Sequence, residues 1–327
     1  MIITKTPFRM SFFGGGTDFP DFFHEHTGAV ISTTFDKYCY VHVRHLPAFF
    51  EYSTELSYSK TERVTSREEI KHPAIRECMK YLDLDHIRLT YEADLPARSG
   101  LGTSSSFASG MILAFYALQG KYIDKKRLAD EAIYLERTLC QEVGGIQDQI
   151  AVAFGGFNRI DMNEDGYSVR PLIISPKRKQ LFNENLLMFF TGFTRFSSEI
   201  QSSVQQSQKE KNKQLLEILS LVNEAENIFT DETKSLTEIG RLLDYTWKLK
   251  RGIAKEISTD SLDEIYHKAM QAGALGGKLL GAGGGGFFIF YVEEDKQEKV
   301  KESLKDLLLI PVKFENQGSE VIHYSPE

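Results

Sequence analysis

The spacing of apolar residues changes several times along the chain, and each change marks an element. A short strand-like run opens the sequence and reaches Pro7. Ala29–Phe35 and Tyr38–Arg44 are rich in β-branched and aromatic residues, and with Asp36-Lys37 between them they predict a hairpin. Residues 68–82 predict a helix and His86–Tyr91 a strand. From Phe107 the period is helical, through Met111, Ala114, Phe115 and Leu118. It is helical again from about Lys125 to Glu142, with Leu128, Ala132, Leu135 and Leu139 on one face. Gly155–Asp161 predicts another strand.

A polar, basic stretch over Pro171–Asn185 breaks this pattern, so a first domain is expected over 1–178 and a second over 179–327. Leu186–Thr191 predicts a buried strand. Helices follow through Leu215, Leu219 and Val222, then Leu242, Thr246, Leu249 and Ile253, then Leu262, Ile265, Tyr266 and Ala269. Strands at Phe287–Val292 and Ile310–Phe314 bracket a further helix. Interleaved strands and helices make the class α+β or α/β.

Composition narrows the function classes. A chain of 327 residues can bury a large core, and 41% hydrophobic with 26% charged residues is ordinary for a globular protein. The net charge of −7 argues against nucleic acid as a partner. Cys39, Cys78 and Cys140 are odd in number and far apart, which suits reduced thiols rather than a disulfide framework or zinc site. The N-terminus lacks the pattern of a signal peptide, and no apolar run approaches the roughly 20 residues that span a bilayer. A cytoplasmic protein without a membrane partner is expected; the sequence is silent on oligomeric state.

The chemistry concentrates in Leu95-Pro-Ala-Arg-Ser-Gly-Leu-Gly-Thr-Ser-Ser-Ser-Phe-Ala-Ser109, two glycines and three serines running straight into a helix. Glycines let several N–H groups converge, serines add hydroxyls and a potential Mg2+ ligand, and the helix turns its positive end to the same spot. That is a phosphate cradle suited to a nucleoside triphosphate, with a helix-capping linker as the plain alternative. It is not a Walker loop: Ala272 stands where the first glycine before Gly277-Lys278 should be, and Leu279 follows the lysine.

Three further stretches stand out. Pro7–Asp18 ends in Gly14-Gly15-Gly16-Thr17-Asp18, where the backbone must turn sharply and Asp18 suits either hydroxyl recognition or a helix cap. Asp148 follows two glycines at a helix start, as a general base or as a solvated terminal carboxylate. Gly276–Phe287 formally contains G-x-G-x-x-G at Gly281, Gly283 and Gly286, but the helix precedes and the strand follows, the reverse of a dinucleotide site. His24-Glu25-His26 lacks a third ligand nearby.

In this order, Pro7–Asp18, Leu95–Ser109 and Lys278–Phe287, with Gly145-Ile-Gln-Asp-Gln149, resemble the GHMP kinase superfamily over essentially the whole chain. The resemblance implies a two-domain α+β fold with the active site between the domains, ATP and Mg2+ as cofactors, and phosphoryl transfer to an alcohol. Pro96, Ser99, Gly100, Leu101, Gly102, Thr103, Ser104, Ser105 and Ser106 would hold the ATP phosphates. Ser104 (or Ser105) and Glu136 would bind Mg2+, Asp148 would be the catalytic base, and Arg9 the basic residue beside it. Gly14, Gly15, Gly16, Thr17, Asp18, Lys37, Gly283 and Gly284 would face the substrate.

Where galactokinases read G-E-H-T-D, this chain has three glycines before Thr17-Asp18, which opens room for a longer, anionic sugar. That pattern, with Asp36-Lys37-Tyr38, Trp247-x-x-Lys250 and the late glycine run, resembles the D-glycero-D-manno-heptose 7-phosphate kinases, which phosphorylate the anomeric hydroxyl. Lys37, Arg98, Arg195 and Lys250 are candidate partners for the sugar phosphate. The alternatives are a kinase for a free hexose such as fucose or galactose, and an inactive sugar and ATP sensor.

Overall fold

A computed structural model describes residues 1–192 and 212–326. The chain runs β1 (Ile2–Phe13), α1 (Pro20–His26), β2 (Gly28–His45), β3 (Thr54–Ser57), β4 (Thr61–Val64), α2 (Pro73–Tyr81), β5 (Ile87–Ala93) and α3 (Thr103–Leu118). Then come α4 (Lys125–Ile133), α5 (Gln147–Phe154), β6 (Phe157–Asn163), β7 (Gly166–Pro171), α6 (Pro176–Glu184) and β8 (Leu186–Phe190). Beyond these lie α7 (Asn212–Thr230), α8 (Thr237–Arg251), α9 (Asp260–Ala272), β9 (Gly276–Leu279), β10 (Phe287–Tyr291), α10 (Glu294–Ser303), β11 (Leu308–Ile310), β12 (Phe314–Glu315) and β13 (Glu320–Tyr324).

The first sheet has the order β13-β1-β2-β5-β3-β4, with β6 and β12 on β2 and β7 on β6. The second is β11-β8-β10-β9. The hairpin expected at Asp36-Lys37 does not form: Gly28–His45 is one strand whose far edge is shared. Residues 28–33 pair with β6, 34–35 with β12 and 39–45 with β5. Asp36-Lys37 lacks the glycine or asparagine that a tight turn needs. Instead Asp36 N–H donates to the Lys313 carbonyl and the Asp36 carboxylate accepts from the Lys313 N–H, both at 2.8 Å. The register slips opposite, at Pro7/Phe8, where proline has no N–H for the ladder.

The strand expected over 310–314 also divides. β11 ends at Ile310, before Pro311, and β12 joins the first sheet. The expected boundary at 178/179 falls within α6, and β12 and β13 return to the first sheet. The helix from Lys125 loosens after Ile133 into a π-helical turn, Tyr134–Leu139, closed by Cys140 N–H donating to the Leu135 carbonyl at 2.9 Å. The glycine run begins with a strand, β9, because Gly276 and Gly277 let backbones meet; a Cβ there would lie 1.8 Å from the Gly240 carbonyl and 2.4 Å from that of Ile289.

One face of the first sheet packs Val41, Val43 and Leu89 against α2, α3, α4 and α5. The other face carries Phe8, Met10, Phe12 and Phe157 into a core shared with Met188, Ile289 and Tyr291 of the second sheet and with α7 and α8. Phe12, Phe157, Phe182 and Phe229 meet there at centroid distances of 4.9 to 6.1 Å, mostly edge to face, the preferred arrangement of aromatic quadrupoles. The second sheet's outer face packs Phe288 and Phe290 with Trp247 and Tyr266. The site residues on β1 and β9 therefore stand on strands held from both sides.

Among the described residues no helix is long and apolar enough to cross a membrane. The three cysteines are free, Cys39 and Cys78 buried and Cys140 partly so.

Candidate active site

The serine loop starts one helix and leans on another loop. Helix α3 starts after Gly102, which at φ 72° takes the left-handed conformation that glycine tolerates. Small residues such as Ala108, Gly110 and Ala114 let α3 lie close on the sheet. Thr4 Oγ1 donates to the Gly110 carbonyl at 2.9 Å, and Ser106 Oγ to that of Pro7 at 3.0 Å. The loop itself is tied by Ser99 Oγ donating to the Pro96 carbonyl at 2.7 Å, and by Arg98 N–H to Thr103 Oγ1 at 3.2 Å. It packs backbone to backbone against the late glycine run. A Cβ on Gly100 would lie 2.3 Å from the Leu280 carbonyl, one on Gly281 2.3 Å from the Gly100 Cα, and one on Gly286 2.2 Å from the Ser99 carbonyl.

The three serines have different tasks. Ser104 Oγ donates to Glu136 Oε1 at 2.6 Å and Ser105 Oγ to Oε2 at 2.7 Å, where Gln149 Nε2 also donates. Only Ser104 of the three is exposed. Thr103, Ser104 and Ser105 occupy the first turn of α3, whose N–H groups lack helical partners. Ser106 offers neither hydroxyl nor N–H, since its N–H donates to the Gly102 carbonyl at 2.8 Å; its expected place among the phosphate ligands is corrected to a brace on β1. Ser104 Oγ beside Glu136 Oε1 is an oxygen pair of the kind Mg2+ accepts, one carboxylate with phosphate oxygens completing the shell. Among the described residues no three His, Cys, Asp or Glu side chains cluster as a metal site.

At the centre Arg9, on β1, holds Asp148, in the first turn of α5, with two parallel bonds, Nε to Oδ1 and Nη2 to Oδ2, each 2.7 Å. Its remaining arm, Nη1, donates to the Gly100 carbonyl at 2.6 Å. The arginine is 3% exposed and the carboxylate 23%, so the pair is fixed on its buried side and open on the other. A side chain at Gly102 would meet it, with Cβ 3.1 Å from Arg9 Cγ.

The first glycine motif forms the third wall. Gly14 (φ 86°) passes so close to Ala29 that a Cβ would sit 1.9 Å from its carbonyl. Thr17 Oγ1 turns inward, donating to the Gly14 and Ala29 carbonyls, so it shapes the motif rather than facing the cleft. Asp18 does not cap α1; the N-cap is Phe19, and Asp18 Oδ1 accepts from Gly16 N–H at 2.9 Å. Asp18 is 3% exposed, and burial, reinforced by the Asp148 charge, pushes its pKa up against the pull of that N–H. Gly145 lies directly on it, where a Cβ would come 1.9 Å from Asp18 Oδ2.

These walls line a partly open cleft that also receives Lys250, Lys278 and Arg137. Lys250 Nζ donates to the Gly281 carbonyl, and burial with the nearby Arg9 charge lowers its pKa to about 8. Lys278 Nζ donates to the Phe12 carbonyl at 2.9 Å, and burial with the Lys250 charge holds its pKa well below the usual lysine range. Ser11 Oγ, on the cleft wall, has no hydrogen-bond partner among the described residues.

Lys37 is not brought to the cleft; its ammonium pairs with Asp36 at 3.3 Å. Gly283 and Gly284 are braced against Ile257 instead of lining it, Gly284 N–H donating to the Ile257 carbonyl at 3.0 Å. Arg98 is exposed on the serine loop, and Arg195 lies outside the described residues. Arg137 and Gln147 were not anticipated as cleft residues, although each adjoins one that was, Glu136 and Asp148.

A nucleotide-type phosphate loop, a fixed carboxylate and a cationic cleft define a phosphotransferase acting on an alcohol group. The chain belongs to the GHMP kinases: the GHMP kinases N terminal domain matches residues 69–156 and the GHMP kinases C terminal domain residues 213–308. It is 29% identical over 322 residues, 93% of each chain, to a D-glycero-alpha-D-manno-heptose 7-phosphate kinase of Campylobacter jejuni. A putative sugar kinase from Campylobacter jejuni superposes with a TM-score of 0.72 at 25% identity, covering 98% of this chain and 97% of that one. A D-glycero-D-manno-heptose 1-phosphate kinase from Bacteroides thetaiotaomicron shares the fold, with a TM-score of 0.73, 24% identity and 99% of both chains covered.

Proposed function

We propose that the protein transfers the γ-phosphoryl group of ATP to the anomeric hydroxyl of D-glycero-D-manno-heptose 7-phosphate, giving the 1,7-bisphosphate and ADP. The observation that carries this reading is the surplus of basic side chains lining the cleft, Arg137, Lys250 and Lys278 against Asp18 once Arg9 has paired with Asp148, with Gly15 standing in place of a carboxylate. The activity named for the Campylobacter jejuni relative points the same way.

In this reading the first-turn N–H groups of α3 hold the ATP phosphates. Ser104 and Glu136 would hold Mg2+, which when bound would neutralise charge on those phosphates. Asp18 accepts hydrogen bonds from sugar hydroxyls. The anomeric oxygen attacks the γ-phosphorus, the bond to the β-phosphate oxygen breaks, and the hydroxyl proton passes to an outward lone pair of Asp148. Arg9 keeps that carboxylate aimed, and Lys250 faces the charge spread over the transferring oxygens. Phosphoryl transfer passes through a loose transition state, so positioning and charge carry most of the catalysis.

The test is ATP turnover with Mg2+ against a panel of free sugars and their terminal phosphates. Turnover selective for heptose 7-phosphate is expected. Turnover on a free hexose would overturn the substrate assignment, and binding without turnover the enzymatic one.

A further inference from the structure

The charges lining the cleft do not balance. Arg9 and Asp148 satisfy each other, which leaves Asp18 facing Lys250, Lys278 and Arg137. None of those three cations forms an ion pair with a described residue; each is held by backbone carbonyls. Burial lowers the pKa of both lysines, so the charge that persists at every working pH is the guanidinium of Arg137.

The carbonyls also sort the cations by wall. Lys250 is tied to Gly281, whose backbone lies on Gly100 of the serine loop, so it belongs to the side that holds the phosphoryl donor. Lys278 is tied to β1 beneath the cleft. Arg137 leaves the π-helical turn and donates Nε and Nη2 to the Gly145 carbonyl at 3.2 and 2.8 Å, and Nη1 to that of Glu142 at 3.3 Å. Gly145 rests on Asp18, so Arg137 belongs to the acceptor wall. Glu142 feels the Arg137 charge without forming an ion pair with it: desolvation and the Glu136 charge push its pKa up while Arg137 pulls it down. A guanidinium has five N–H donors, and three carbonyl contacts leave about two for the cleft, in a planar geometry that matches phosphate oxygens.

We infer that Arg137 is a specificity-determining residue, binding a phosphate group carried by the acceptor at the end remote from its reacting hydroxyl. The inference rests on the sugar-phosphate reading above. It explains why a motif stripped of its carboxylate at Gly15 faces an arginine that no side-chain carboxylate neutralises.

The experiment compares wild type, Arg137→Gln and Arg137→Lys on D-glycero-D-manno-heptose 7-phosphate and on the same heptose without its phosphate, at saturating ATP. Arg137→Gln is expected to raise KM for the phosphorylated sugar by about 10- to 100-fold, the loss of a charge-assisted contact, with kcat and the KM values for unphosphorylated heptose and ATP unchanged. Arg137→Lys, which keeps the charge, should recover part of that loss. Equal losses on both acceptors, or no rescue by lysine, would make Arg137 a brace for the turn at 142–145 and overturn the inference. A wild type indifferent to the phosphate would defeat the sugar-phosphate reading itself. A wild type that prefers the phosphorylated sugar, with Arg137→Gln keeping the preference, would defeat only the role of Arg137.

Discussion

The two ends of the cleft are built on opposite plans. At the serine-loop end the shape is made by backbone: Gly100, Gly281 and Gly286 bring two loops to a separation that no Cβ could enter. At the acceptor end it is made by charge: Asp18, Lys278 and Arg137 come from three elements and are held mostly by backbone groups. A site of the first kind has one solution, because sterics at 2.3 Å leave no alternative residue. A site of the second kind can be retuned one side chain at a time, which is where kinases of one fold can part in substrate.

The sharpest test strikes where the two plans meet. Asp148→Asn keeps the size of the side chain and removes the proton acceptor, so kcat should fall about 10²- to 10⁴-fold. Because Arg9 loses its counter-charge, the melting temperature should fall as well; ATP binding by calorimetry should change little, and its loss would mean that Asp148 shapes the loop rather than acting on the acceptor.

Breaking the steric end should cost fold and nucleotide together. Gly100→Ala or Gly281→Ala puts a methyl group into backbone at positive φ, with an expected loss of about 1–3 kcal/mol in urea unfolding and a raised KM for ATP. By contrast Gly15 has no left-handed requirement, and a Cβ would come no closer than 3.8 Å to anything. Gly15→Glu should therefore leave the melting temperature intact while raising KM for a phosphorylated acceptor about tenfold or more. Equal destabilisation by all three substitutions would erase the distinction.

The pH dependence sharpens the charged side. Lys250 has a folded pKa of about 8, below the ordinary lysine value of 10.5, so the folded state releases a proton that the unfolded chain retains between those values. Its ammonium costs stability below about pH 8, and the cost is relieved as pH rises from about 8 toward 10.5. Activity runs the other way: kcat/KM should fall as pH rises through about 8 and the cation is lost. Lys250→Met should lower kcat/KM and flatten that alkaline limb; an unchanged limb would assign it to another group.

The smallest effect separates neighbouring serines. Ser106→Ala loses one buried bond to the Pro7 carbonyl, about 1 kcal/mol of stability with kcat retained. Ser104→Ala, at an exposed position, should cost activity and little stability. The reverse pattern would exchange their roles.

What the sequence disclosed follows the same division. Glycines announce themselves, because consecutive residues without a Cβ have few other uses, so the serine loop, the first motif and the late run were all legible. Asp148 was legible as a carboxylate beside a glycine break, though its role leaned on the resemblance. Arg137 was not: its place in the cleft depends on a π-helical turn and a return through Gly145, neither with a local signature. Lys37 was over-read, since its Asp36 partner adjoined it in sequence. The long β2 was misread as a hairpin because two edge partners, β12 and β5, arrive from distant parts of the chain. Pro311 did carry a signal for the split between β11 and β12, because a residue without an N–H does not sit in a central strand.

Arg9 stands on a strand whose other edge is completed last. Ile2–Lys5 of β1 pair with β13, Ile2 opposite Tyr324, so this edge waits for a strand synthesised about 320 residues later. At ribosomal speed that interval is on the order of tens of seconds, during which a strand destined for the interior of the first sheet has an uncovered edge. For the nascent chain, the strand that carries Arg9 keeps a pairing edge open until β13 arrives.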